Sequence, residues 1–465
     1  MDRVLLPSLG ALLVGGLSES YELLVVAFLA FLAASAIVRP NLPWLHLVRF
    51  AKLPLEAVPP AAALALIVMA AGLSGLPHLS VADIAITLSA MTLLGVLTSM
   101  LIDSVNPVSA PSRIAVIGSA LSAGELAREL RLAAVSRYTV VGRITYQEDH
   151  EGEEEDRLGE DREVPLLGSL EDLANVVERE RVDLLVMSSE VPRFRVFEEV
   201  ANRCLHLPVR LMELTGFYED VFGHVPVAEI NAAWFQYIMH PRYSPITPHA
   251  KRALDLAVGL TLGAIFLPIL LICGLIIRRD GGPALFKQTR IGEGGRPLVV
   301  HKLRTMKVDA GLDSQWASPG DPRITRFGAT LRKLHLDELP QIVNVLRGEM
   351  SIVGPRPEQP EFVERLEGLL PFYSRRHLIK PGITGWAQVR CGYAGSDEGS
   401  AWKLCHDLYY LKYRSTAFDL SILAETLSSV FGNKAHAVNT STARLVQSDP
   451  VAVVGDPLGR STVNS

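Results

Sequence analysis

Asp337 and Glu338 are adjacent carboxylates in the stretch Leu336-Asp337-Glu338-Leu339-Pro340-Gln341, and Gly354-Pro355-Arg356-Pro357 follows closely downstream. Neighbouring carboxylates beside a guanidinium on a Pro-braced turn suit chemistry on a metal-bound phosphate. Asp and Glu bind a hard cation, and Arg clamps phosphate oxygens. The spacing predicts a helix start here. Asp337 reads as its N-cap, Pro340 falls in the first turn, and Ile342, Val343 and Leu346 give an apolar face. An Asp-Glu pair alone is most often a cap with a dipole-favourable neighbour. The surrounding cations argue for more.

Between Arg278 and Lys333, twelve Lys or Arg stand against five Asp or Glu, a net of +7. Topology or attraction to lipid headgroups accounts for Arg278 and Arg279. It does not account for cations inside residues 286–292 (Lys287 and Arg290, with Gln288), inside 302–306 (Lys302, Arg304), or inside 321–328 (Arg323, Arg326). Short Gly-bounded turns carrying one or two cations each are what a multi-phosphate site requires.

These groups must be positioned by a chain of 465 residues, long enough for two or three domains, that is 49% hydrophobic with a mean hydropathy of +0.25. The apolar residues come in blocks, which points to a membrane protein with soluble parts. The formal net charge of −5 conceals a segregation of acids and bases. Four apolar blocks, at about 4–17, 22–38, 58–75 and 81–102, read as transmembrane helices, the first being short for a span of about 20 residues. No small-residue cleavage site follows the first block, so it does not read as a signal peptide. Arg39, Arg49 and Lys52 place loop 39–53 in the cytoplasm, as Arg3 does the N-terminus, and four spans return residue 103 to that side.

A fifth block runs from about 253 to 277 with Pro268 in its middle, Lys251 and Arg252 on one flank and Arg278 and Arg279 on the other. Positive flanks at both ends predict a helix broken at Pro268 that enters and leaves by the same face, the alternative being a Pro-kinked span.

Residues 112–240 read as a Rossmann-like soluble domain: a buried strand over 113–118, a helix from Glu125, and strands at 138–144, around 164–167 and at 182–187. The dinucleotide fingerprint after Gly118 is degenerate, with Ala120 and Ala123 in place of glycines, which favours a structural or regulatory domain over a cofactor site. From Glu148 to Glu163, ten Asp or Glu face only Arg157 and Arg162, as in a solvated insertion. Cys204, Cys273, Cys391 and Cys405 are too widely spaced for a zinc pattern or a disulfide framework, which suits a reducing cytosol. From about 434 the chain turns polar and reads as a disordered tail.

The cation-bearing runs, residues 336–341, residues 354–357 and Lys380-Pro381-Gly382-Ile383-Thr384-Gly385-Trp386-Ala387-Gln388-Val389 closely resemble the bacterial polyprenyl-phosphate hexose-1-phosphate transferases, over about residues 249–433. Four spans plus a degenerate nucleotide-fold domain look like the large, polytopic members of that family. The resulting fold class is a membrane α-helical bundle plus α/β: four transmembrane helices in 1–103, the Rossmann-like domain in 112–240, an α-rich catalytic domain in 249–433 with a Pro-broken re-entrant membrane helix at 253–277, and the tail 434–465.

The resemblance implies transfer of a hexose-1-phosphate from a UDP-hexose to undecaprenyl phosphate with release of UMP, the first membrane step of exopolysaccharide, capsule or O-antigen assembly. By the family pattern Asp337 is the nucleophile that forms a covalent phospho-sugar intermediate, and Glu338 helps to bind Mg²⁺. Arg356 stands at the family's Gly-Pro-Arg-Pro arginine and reads as a phosphate clamp. Gln288, Arg290, Lys302, Arg304, Arg323 and Arg326 are the further phosphate-site candidates. The implied setting is the bacterial inner membrane, multi-pass, with the catalytic domain facing the cytoplasm. The implied partners are the UDP-hexose, undecaprenyl phosphate and the lipid bilayer; a homo-oligomer is compatible, and no nucleic acid is implied.

Leu303 departs from an aromatic usual in the family, a change of packing, and Leu267 precedes Pro268 where some members have Ser. Trp386 and Gln388 read as structural residues or as substrate contacts, and Tyr409, Tyr410 and Tyr413 as interfacial anchors on an amphipathic helix. Two other readings compete. An NAD-dependent nucleotide-sugar dehydratase or epimerase needs an intact glycine fingerprint and a Tyr-x-x-x-Lys pair, yet none of the eleven tyrosines has Lys four residues on. A non-catalytic scaffold for polysaccharide assembly leaves the dense phosphate-site motifs unexplained.

Overall fold

A computed structural model describes residues 111–146, 164–230, 234–235, 248–308, 321–391 and 396–430. The four N-terminal apolar blocks, the acidic run and the tail from 434 lie outside the described residues. The chain divides into two compact units, 1–112 with 135–139 and 113–134 with 140–465, and the second holds nearly all the described residues.

The α/β part is a five-stranded sheet in the order β3-β2-β1-β4-β5. Its strands are β1 (Ser112–Ile117), β2 (Tyr138–Thr145), β3 (Leu166–Ser169), β4 (Leu184–Met187) and β5 (Arg210–Glu213). β1 pairs in parallel with β4, Ile114 opposite Leu184 through Ile117 opposite Met187. Both strands are buried apolar runs, as parallel strands covered on two faces must be. Between the strands run α1 (Ala120–Leu132), α2 (Leu173–Glu180) and α3 (Arg193–Arg203). Val176, Val177 and Val196 close one core with Ile117, Leu185 and Met187. The expected strands are present with ends shifted by a few residues; β5, a four-residue strand that starts two residues after Pro208, went unread.

α4 (Leu214–Phe222) ends at Gly223, whose φ of 71° is the left-handed turn that glycine adopts freely. It is welded to the C-terminal part by buried polar contacts. Lys412 Nζ donates to both Glu219 oxygens at 2.8 and 2.6 Å, and Tyr413 Oη and Trp234 Nε1 each donate to that carboxylate at 2.7 Å. Trp386 Nε1 donates to the Gly223 carbonyl at 2.7 Å, and only 1% of the residue is exposed, which makes it a structural residue. Gln388 likewise donates to Ile383 O at 3.0 Å.

α5 (Pro248–Ile277) is about 45 Å long at 1.5 Å per residue, and the stretch His249–Asp280 is long and apolar enough to cross a membrane. It is helical straight through Pro268, so the expected break is no interruption of the helix. A proline removes one donor, and the neighbouring bonds carry the ladder on. One stripe faces the protein along the whole length. Asp255 accepts from Ser351 Oγ at 2.8 Å and Ile352 N at 3.0 Å, Gly259 and Gly263 lie against Leu346 and Ile342, and Cys273 and Ile277 pack with Leu303, Leu331 and Leu336. The other side exposes Leu260, Ile265, Leu267, Leu271, Ile272 and Leu275.

After α5 come a hairpin of β6 (Leu285–Ile291) and β7 (Pro297–Leu303), then α6 (Arg326–Lys333), a 3₁₀ turn (Leu336–Gln341) and α7 (Ile342–Arg347). β8 (Ser351–Val353), α8 (Pro360–Leu369), β9 (Gly382–Thr384), α9 (Trp386–Cys391), α10 (Asp397–Tyr413) and α11 (Thr416–Val430) complete the body. α10 is no surface helix. Tyr409 and Tyr410 are buried, Tyr410 Oη donates to Asp419 at 2.6 Å, and Tyr413 is tied to Glu219, so none of the three is an interfacial anchor.

β8 and β9 are parallel, and the backbones beside them touch. A Cβ on Gly382 would lie 2.1 Å from Gly354 N, and one on Gly385 would lie 2.2 Å from Gly354 O. Only hydrogen fits, which gives the Lys-Pro-Gly-Ile-Thr-Gly run a packing role. Gly382→Ala is expected to destabilise the protein by ~3 kcal/mol. Thermal unfolding of the purified variant at the wild-type midpoint would contradict this packing.

Candidate active site

Cross-strand partners share a face of a hairpin, and successive residues alternate faces. Phe286 lies opposite Lys302, Gln288 opposite Val300 and Arg290 opposite Leu298, so Gln288, Arg290 and Lys302 project from one face. These cations sit on strands, not in the Gly-bounded turns expected from the sequence. The charge had masked an inside–outside alternation through Leu285–Ile291.

Lys302 Nζ donates to Glu338 Oε1 at 2.7 Å. Arg356 meets the same carboxylate, Nη1 donating to Oε2 at 2.9 Å and Nη2 to Oε1. Burial alone would raise the Glu338 carboxyl, but Arg356 and Lys302 outweigh it and hold it well below the usual carboxylate range. Glu338 is a fixed anion between two fixed cations.

The 3₁₀ turn carrying this pair opens at His335, whose φ of 55° is left-handed, and no side chain caps it. Asp337 is therefore inside the first turn and is not the N-cap the spacing suggested. Its carboxyl is pushed up first by burial and then by Glu338, against the pull of Lys302 and Arg332. Arg332, in the last turn of α6, was counted in the sequence only as one basic residue among twelve; its Nε donates to Thr305 Oγ1 at 2.9 Å. Two neighbouring carboxylates are thus pushed in opposite directions, as in sites where one acts and the other supports.

The other candidates divide. Arg290 donates to Gln288 Oε1 at 3.0 and 2.7 Å and to Pro357 O at 3.1 Å, with Glu358 at 3.5 Å, so both residues brace the loop that carries Arg356. Arg304 binds elsewhere: it donates to Pro283 O at 2.8 Å and Ile277 O at 3.1 Å and pairs with Asp280, closing the C-terminal end of α5. Arg323 pairs with Asp321 at 2.8 Å, and Arg326 is exposed at the start of α6. Leu303 is buried with Cys273, Ile277 and Leu331.

A carboxylate nucleophile acts only when ionised. Its rate is full above its pKa and falls as pH drops through it. With Asp337 as the expected nucleophile, pushed up while Glu338 is held down, kcat/KM is expected to show an acid limb above that of a free Asp side chain. A pH series with a donor that does not titrate in this range checks it, and a limb at or below the ordinary Asp value contradicts it.

The loop after β1 is filled from within. Ser119 caps α1 by accepting from Ser122 N, and the buried Glu229 carboxylate accepts from Ser189 N at 2.8 Å and from the Ser188 and Ser122 hydroxyls. At the start of α1, where an intact fingerprint would seat a pyrophosphate, the Ser122 N–H is taken by Ser119 and the Ser122 hydroxyl by Glu229.

A carboxylate pair among half-buried cations, beside a helix with one exposed apolar face, is an arrangement suited to phosphate chemistry next to an apolar surface. The profile of the bacterial sugar transferase family matches residues 246–433. A UDP-N-acetylgalactosamine-undecaprenyl-phosphate N-acetylgalactosaminephosphotransferase of Aeromonas hydrophila is 35% identical over 236 residues, 50% of this chain and 55% of that protein. A UDP-glucose:undecaprenyl-phosphate glucose-1-phosphate transferase of Caulobacter vibrioides is 42% identical over 184 residues, 39% of this chain and 69% of the relative. The exopolysaccharide production protein PSS of Rhizobium leguminosarum bv. phaseoli is 41% identical over 188 residues, 38% of this chain and 94% of the relative. The chain belongs to the bacterial sugar transferase family. It spans about half the length of the Aeromonas relative.

Proposed function

We propose that this chain transfers a hexose-1-phosphate from a UDP-sugar to undecaprenyl phosphate at the cytoplasmic face of the bacterial inner membrane, for the assembly of an exopolysaccharide, capsule or O-antigen. The observation that carries this reading is Glu338 fixed between Lys302 and Arg356 beside an Asp337 left out of any helix cap. In the first half, an Asp337 oxygen attacks the phosphorus that bears the sugar. A bond forms from that phosphorus to the carboxylate as the bond to the bridging oxygen breaks, and UMP leaves with the electron pair. In the second half, an oxygen of undecaprenyl phosphate attacks the same phosphorus and the Asp337 carboxylate leaves. Both nucleophiles are anions, so neither half needs a general base. Lys302, Arg332 and Arg356 offset the charge gathered there, and dividing the reaction keeps the two bulky anions apart.

Mg²⁺ takes one or two protein carboxylates and completes its shell with substrate phosphates and water. The Asp337–Glu338 pair fits such an ion, and among the described residues no group of three His, Cys, Asp or Glu would hold it alone. Glu338 would be its ligand, exchanging one of its cation partners for the metal. Bound there, the ion supplies charge neutralisation for the transferring phosphate.

The stripe on α5 supports an unbroken helix that keeps both ends on one side of the bilayer and turns its apolar outer face to lipid. Both ends pack on one body, Arg252 donating to Val345 O and Leu346 O at 2.6 Å and Ile277 lying against Leu331, while its exposed leucines and isoleucines face away. A straight crossing would separate those ends by the bilayer. With four N-terminal spans the chain would be multi-pass with this body in the cytoplasm, and a homo-oligomer is compatible with that arrangement. UMP release by detergent-purified protein with Mg²⁺ and undecaprenyl phosphate, screened across UDP-hexoses, tests the reaction. Release with one or more donors is expected; silence with all of them, in folded protein, would overturn it.

A further inference from the structure

The loop that carries Arg356 is held by four consecutive carbonyls. Gly382 N donates to Pro355 O at 2.9 Å, Arg376 Nη2 to Arg356 O at 3.0 Å, Arg290 Nη1 to Pro357 O at 3.1 Å, and Ile291 N to Glu358 O at 2.9 Å. Two of these donors belong to neighbouring strands. The other two are guanidinium groups, and that of Arg376 comes from the 3₁₀ turn Tyr373–Leu378.

Arg376 is 4% exposed and every arm of its guanidinium is engaged. Nε donates to Asp407 Oδ2 at 3.0 Å, Nη1 to Tyr373 Oη at 2.7 Å, and Nη2 lies 2.7 Å from Asp407 Oδ2 while donating to the Arg356 carbonyl. Asp407 is 2% exposed on α10, a helix buried over most of its length. Replacing a buried ion pair by apolar residues of similar volume is often neutral or stabilising, so stability alone is a weak account of this pair. A planar fork that satisfies a carboxylate, a phenol and a carbonyl together fixes position in a way an ammonium cannot.

We propose that Arg376, oriented by Asp407, is a positioning residue for the transfer reaction: by holding the Arg356 carbonyl it sets where the Arg356 guanidinium meets Glu338. It rests on the proposed reaction only for its kinetic consequence. Arg356 extends from that backbone to Glu338, beside Asp337, and a displacement of ~1 Å in such a group can lower a rate by about 10²-fold.

The test compares Arg376→Lys, Tyr373→Phe and the double variant Arg376→Met/Asp407→Leu with wild type. Backbone hydrogen exchange of the 351–359 segment and steady-state kinetics are read on protein of checked thermal unfolding. The double variant is expected to fold and to unfold somewhat earlier than wild type, because the Arg356 carbonyl and Tyr373 hydroxyl lose their donor, to exchange faster in 351–359, and to lose about 10²-fold in kcat with KM changed by less than about 3-fold. Arg376→Lys is expected to show the same exchange and kcat changes, and Tyr373→Phe a smaller change in the same direction. A folded double variant with wild-type exchange and kcat would make the pair merely structural and overturn the proposal. Should the double variant fail to fold, Arg376→Lys decides by the same two readouts, unchanged values again overturning it. If wild type releases UMP from no donor, the reaction falls, and exchange in 351–359 still decides the positioning role.

Discussion

Asp337→Asn is expected to abolish turnover, lowering kcat by at least about 10⁴-fold while the protein stays folded. The two side chains have nearly the same shape. The carboxyl of Asp337 is pushed up by burial and by Glu338, so folding works against its charge and an amide relieves that conflict. Thermal unfolding should therefore occur at or above the wild-type temperature. The loss of rate is chemical: an amide oxygen is too weak a nucleophile to displace UMP. Full activity in a purified, sequence-verified Asp337→Asn protein would end the covalent account.

Glu338→Gln carries the second-largest effect, a loss of about 10²–10³-fold in kcat/KM together with a weaker response to Mg²⁺. Lys302 and Arg356 hold the Glu338 carboxyl well below its usual range against the effect of burial, so the charge is wanted where it is. An amide would leave the two cations facing a neutral group and would turn a donor toward one of them. Titrating Mg²⁺ against both proteins separates the effects: an unchanged midpoint would remove Glu338 from the metal site.

Charge and spacing made the centre of this site legible. Asp337-Glu338 and Gly354-Pro355-Arg356-Pro357 stand out by residue type together with the cations around them, and Lys302 and Arg356 do meet on Glu338. The parallel sheet was legible because its inner strands are unbroken apolar runs, Ile114–Ile117 and Leu184–Met187. What the sequence concealed was which cations converge. Lys302 and Arg304 stand two residues apart, yet Lys302 reaches Glu338 and Arg304 closes the end of α5, because the chain leaves β7 after Leu303. Arg376 and Asp407 lie 31 residues apart, and no local pattern signals a pair that tertiary packing alone creates. Tyr410 misled for a related reason: tyrosines among charged residues read as the interfacial face of an amphipathic helix, but α10 is buried and pairs its polar groups with Glu219 and Asp419.

A covalent link to Asp337 should be visible in the first half of the reaction, before any lipid acceptor is present. Wild-type protein is mixed with an accepted UDP-sugar and Mg²⁺ in the absence of undecaprenyl phosphate, and UMP and intact protein mass are measured. The account predicts UMP up to about one equivalent per chain, a mass increase of one hexose phosphate on the peptide containing Asp337, and discharge of that adduct when the lipid phosphate is added. UMP appearing only when the lipid phosphate is present, with no adduct on the protein at any time, would contradict it and point to direct transfer between the two substrates.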